Sequence, residues 1–74
     1  MKIWVVILVD DQWPEEAPLI AAGVSESAAK GALIPLMLER WPDEWPEGLD
    51  AGNIRVLAAR SELSIFLEEV EVAT

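Results

Sequence analysis

The chain has 74 residues, 14 of them acidic and five basic, giving a formal net charge of −9, and it contains neither histidine nor cysteine. That length allows one domain, residues 1 to 74, with a small core, because a domain of this size buries only about 60% of the surface that its unfolded chain exposes. The missing residues exclude a disulfide framework, a thiolate or imidazole metal site and the side chain most used for proton transfer near neutral pH. The charge argues against direct binding to nucleic acid or to an anionic membrane and in favour of a basic protein partner.

Hydrophobic residues make up 53% of the chain and the mean hydropathy is +0.28, so it is expected to fold despite its charge. Ile3 to Val9 is apolar at every position and rich in β-branched residues, the pattern of a central strand buried on both faces. Asp10 and Asp11 follow at once, leaving the apolar run too short for an export signal or a membrane span; the expectation is a soluble cytoplasmic protein. Asp10 to Glu16, with Trp13-Pro14, has the composition of a reversal into a second strand over Leu19 to Val24. Ala21, Ala22 and Gly23 suit that strand to a sheet edge.

Ser25 and Glu26 predict a helix start, with a hydroxyl to accept an amide and an acid at the positive end of the helix dipole. The helix is expected to run to Arg40, with Ala29, Leu33, Leu36, Met37 and Arg40 on one stripe and Ala32 beside it. Pro35 predicts a kink or a division into two pieces, and Trp41, which precedes Pro42, ends the element. Residues 41 to 53 read as a long loop carrying two tryptophans and four acids. Ile54 to Ala58 alternates as a strand. Leu63 to Val72 fits either a helix capped by Ser61 or a strand with a bulge near Glu68-Glu69, and its β-branched and aromatic residues favour the strand.

The sum is an α+β domain of order β-β-α-β-β: a small antiparallel sheet with one helix packed on one face. One helix covers one side of a sheet, yet the first strand is apolar on both, so one apolar face is left for a second copy or for the target. Trp4, Val6 and Leu8 are assigned to that oligomer interface, which makes a homodimer an expectation.

The carboxylates are adjacent at Asp10-Asp11, Glu15-Glu16, Asp43-Glu44 and Glu68-Glu69, but neighbours on a strand point to opposite faces, and adjacency alone gives no catalytic pair. The sequence holds no calcium-loop pattern, no glycine-rich phosphate loop and no activated nucleophile, so neither catalysis nor a cofactor or metal is expected. Trp13, Trp41 and Trp45 each precede a proline; such rings either cap a small core or anchor an interface. Thirteen of the 14 acids fall in three segments, residues 10 to 16, 39 to 50 and 62 to 71, which either serve solubility or converge into one negative surface that imitates a phosphate backbone.

Within the last of these segments, Glu62-Leu63-Ser64-Ile65-Phe66-Leu67-Glu68-Glu69-Val70-Glu71 is similar to the Glu-Ser-Ile strand and following acidic stretch of the uracil-DNA glycosylase inhibitor proteins. Those are small acidic bacteriophage proteins that mimic DNA. Leu63 stands between Glu62 and Ser64, the connection to the later acids is shorter, and the likeness covers ten residues. It implies a host nucleic-acid-processing enzyme as partner, in the host cytoplasm, with the strand against its DNA-binding face. The expected contact residues are Glu62, Ser64, Ile65, Glu68, Glu69 and Glu71 on the strand, and Trp41, Asp43, Glu44, Trp45 and Glu47 in the loop. The alternative function is a homo-oligomeric adaptor that works through its apolar sheet face.

Overall fold

The computed structural model describes residues 1–13, 15–46 and 48–73. Its elements run β1 (Lys2–Asp10), β2 (Leu19–Gly23), α1 (Glu26–Arg40), α2 (Ile54–Arg60) and β3 (Leu63–Glu71). The three strands form one antiparallel sheet of order β2-β1-β3, so the most apolar strand is the central one and the Ala/Gly-rich strand lies at an edge. The domain is α+β, with element order β-β-α-α-β. No helix among the described residues is long and apolar enough to cross a membrane.

The strand register fixes the two faces of the sheet. Trp4, Val6 and Leu8 lie opposite Gly23, Ala21 and Leu19 on one side and Glu69, Leu67 and Ile65 on the other. The helices cover this face, α1 across β2 and β1 and α2 against β3. Val6 and Leu8 join Ala29, Leu33 and Met37 of α1 and Ile54 and Ala58 of α2 in one buried cluster, with Trp45 and Leu63 at its margin. The expectation that Trp4, Val6 and Leu8 meet a second copy is therefore corrected: they are the inner face of the monomer. Side chains alternate along a strand, so it is Ile3, Val5, Ile7 and Val9 that no element among the described residues covers.

Helix α1 starts and stops where its end signals place it. Ser25 Oγ accepts from the Ala28 amide at 3.1 Å, and the Trp41 amide closes the last turn on Met37 O at 2.9 Å. The buried stripe is Ala29, Leu33 and Met37; Arg40 and Ala32 are exposed. Pro35 sits inside one 15-residue helix and does not divide it, its ring on the exposed side. Leu33 before the proline and Met37 after it are both buried, so both halves of the helix pack into the core. Gly23 is required for the close approach at the other end: a Cβ there would lie 2.5 Å from Ala29 N in the first turn of α1.

Ile54 to Ala58, expected as a strand, is a helix. The cause lies upstream, in Asp50. Its Oδ1 accepts from the Gly52 and Asn53 amides at 2.7 and 2.8 Å, its carbonyl accepts from Ile54 N at 3.0 Å, and Asn53 Oδ1 accepts from Asp50 N at 2.9 Å. This reciprocal bonding fixes the turn ahead of the helix and satisfies the amide of its first residue, Ile54. Ile54 and Ala58 are then buried while Val56 between them is exposed, the helical and not the strand period. In β3 the pairing with β1 is one-to-one from Lys2↔Glu71 to Asp10↔Leu63, so the bulge expected at Glu68-Glu69 is absent.

Candidate functional site: an indole-lined acidic cleft

At the end of the sheet where β1 runs out and β3 begins, several local bonds bring distant segments together. The Asp11 amide extends the ladder to Glu62 O at 3.2 Å, and Ser64 Oγ donates to Asp11 Oδ2 at 2.6 Å. Asp10 Oδ1 accepts from the Gln12 amide at 2.9 Å, and Gln12 Nε2 in turn donates to Glu62 Oε2. Glu62 itself is in the left-handed region, with φ 59°, at the turn that sends α2 into β3. This is a conformation in which glycine is usual after a helix, and it projects the Glu62 side chain from the corner between the two elements.

The loop after α1 forms the opposite wall. Trp41 and Trp45 meet edge to face, with centroids 6.5 Å apart and planes at 81°, and the Arg40 guanidinium lies 5.7 Å from the Trp41 ring centroid. Arg40 Nη1 also donates to Ala17 O at 2.7 Å, tying the segment after β1 to the C-terminal end of α1. Trp45 is 7% exposed, and its Nε1–H is buried with no hydrogen-bond partner among the described residues.

Between these walls lies a cleft of about 500 Å³. Trp13, Trp41 and Trp45 line it, and Asp10, Glu16, Glu44 and Glu62 stand around it. Arg60 is the one cationic side chain among the lining residues. Both ion pairs formed by the described residues lie elsewhere, Lys2 Nζ to Glu69 Oε1 at 3.6 Å and the N-terminal ammonium to Glu71 Oε1 at 3.5 Å. The cleft carboxylates thus hold no ion-pair partner among the described residues. Nor do any three acidic side chains among those residues group to hold a metal ion. Chemically the cleft suits an organic cation: indole faces attract ammonium and guanidinium groups through their quadrupoles, and rim carboxylates add Coulombic attraction.

The expected contact residues divide between two places. Glu62, Trp41, Glu44 and Trp45 line the cleft, whereas Ser64, beside Val9 on the other face of the sheet, donates to Asp11 outside the lining. Ile65 faces the helices and packs on the core, Asp43 is exposed outside the cleft lining, and Glu47 lies outside the described residues. Glu68, Glu69 and Glu71 are at the far end of β3, opposite Val5, Trp4 and Lys2 of β1. At about 3.4 Å per residue that end is some 20–30 Å from Glu62, so the acids of the last strand do not form one continuous surface with the cleft. Asp10, Trp13, Glu16 and Arg60 are additional members. For the first three the signal was present in the acid-rich, tryptophan-bearing composition of residues 10 to 16; for Arg60 there was none. Among known proteins, no family model, no curated protein and no solved structure matches this chain.

Proposed function

We propose that the chain is a non-enzymatic acidic interaction module that binds a basic protein surface, and that the surface it fits is the phosphate-binding cleft of a nucleic-acid-processing enzyme, which it blocks. One observation carries this reading: carboxylates from three segments far apart in sequence, Asp10 and Glu16, Glu44, and Glu62, gather around three indoles in one cleft. A protein that binds a nucleic-acid backbone presents lysine and arginine side chains, and this cleft offers them carboxylates beside the exposed Trp13 ring.

The test is a binding titration against purified nucleic-acid-processing enzymes with basic clefts, run with and without competing duplex DNA. Binding is expected to weaken at least tenfold as salt rises from about 50 to 500 mM, and DNA and this chain should exclude one another. Binding that is indifferent to salt and leaves DNA in place contradicts the reading. A homo-oligomeric adaptor is the alternative, and it draws on a different observation, the uncovered apolar face of the sheet.

A further inference from the structure

The face of the sheet turned away from the helices carries Ile3, Val5, Ile7 and Val9 on β1, flanked by Ile20 and Ala22 on β2 and by Ser64, Phe66, Glu68 and Val70 on β3. Ile7 is opposite Ile20 on one side and Phe66 on the other, so an unbroken apolar row crosses all three strands at its middle. The flanking members stand well out of the surface, Ile20 at 56% and Phe66 at 58% exposure. An antiparallel sheet with one solvated face normally alternates apolar and polar residues, and β1 does not.

We infer that this face is the dimerisation surface of the protein, and that its occupant is the same face of a second copy. Charge selects the occupant. Glu68 is the one acid that the three strands place on this face, in a chain with 14 acids, so a basic partner drawn by the cleft gains almost nothing here and would bury its own cations against aliphatic side chains. A second copy offers the same nearly uncharged face to the other, with most of the remaining charge on other surfaces.

The area agrees. β1 and β3 have nine residues each, about 30 Å of strand, and three strands with their side chains span about 14 Å, or roughly 400 Å² in plan. Counted as surface lost by both copies this is about 800 Å², the size of a weak, reversible interface, which predicts a dimer that forms at about 100 μM or above. Two sheets packed about 10 Å apart would turn two layers into four, helix, sheet, sheet, helix.

Equilibrium sedimentation across protein concentration and salt tests the inference. The expected result is a monomer–dimer equilibrium that is unweakened or strengthened between about 50 and 500 mM salt, since salt screens the repulsion of two chains of like charge. Phe66→Glu and Ile20→Lys each place a charge on an exposed position of a different strand and should weaken association at least tenfold, with circular dichroism melts showing that each variant folds. Val56→Lys, at a position 56% exposed on α2 on the opposite side of the sheet, should leave the dimer intact. A wild-type chain that stays monomeric to about 1 mM, or a dimer indifferent to both face variants, overturns the inference. So does a monomeric wild type whose binding to a basic enzyme is lost in Phe66→Glu, which would give the face to that partner.

Discussion

Gly23 and Gly31 are chemically the same residue in opposite circumstances. At Gly23 a methyl group would meet the backbone of α1, Ala29 N at 2.5 Å and the Ala28 carbonyl carbon at 2.7 Å, and backbone cannot rotate aside. At Gly31, inside α1, a Cβ would meet nothing within 4 Å. Gly23→Ala is therefore expected to destabilise the fold by about 1–3 kcal/mol through overpacking, and Gly31→Ala to stabilise it by about 1 kcal/mol through helix propensity. Urea denaturation of the two variants beside the wild type measures both signs. Residue composition alone marked Gly23 as a weak strand residue. Its role is steric, because only two residues, Val24 and Ser25, separate β2 from α1.

At the scale of elements, α2 depends on a side chain outside it. Its immediate N-cap, Asn53, makes no capping bond within the helix, and the two amides ahead of it are satisfied by Asp50. Asp50→Ala should cost about 1 kcal/mol, the usual value of a lost cap. Because Ile54 and Ala58 belong to the core, that loss should appear in the global urea transition and not only as fraying of a surface helix. The segment shows where local reading loses to context. Ile54 to Ala58 carries a tolerable strand alternation, but a seven-residue helix needs only one capped turn and one buried pair to be held against β3. Helix α1 was legible because its end signals and its period agree, the Ser25 cap, the four-residue spacing of Ala29, Leu33 and Met37, and the proline after Trp41, with Pro35 the one signal against it.

For the whole molecule, the two surfaces respond to salt with opposite sign. Partner binding through the cleft falls as salt rises and association through the sheet does not, so one salt series that reads both binding and mass separates the functions. Trp13 offers a cleaner probe of the cleft. It is 57% exposed and outside the core, so Trp13→Ala should leave the melting temperature within about 2 °C of wild type. It should weaken binding of a basic partner about fivefold or more, the value of one cation–π contact, in a direct titration. An unchanged affinity would remove the indoles from the binding account and leave the carboxylates alone.

The sequence by itself determined the class of the domain, the central place of its first strand, the bounds of its long helix, and the excess of acid that any partner must answer. Each of these rests on local or one-dimensional information: side-chain periodicity, capping chemistry and net charge. Tertiary structure decided which face of β1 is inner, because alternation distinguishes two faces but cannot say which one a helix will cover. Val6 and Leu8 went under α1, and Ile3, Val5, Ile7 and Val9 stayed open. It also decided which acids meet. The antiparallel run of β3 carries Glu68 to Glu71 away from the cleft and leaves Glu62 at its edge, where the turns after β1 and α1 bring Asp10, Glu16 and Glu44. Strand direction fixes that separation, and strand direction is a property of the sheet, not of any segment within it.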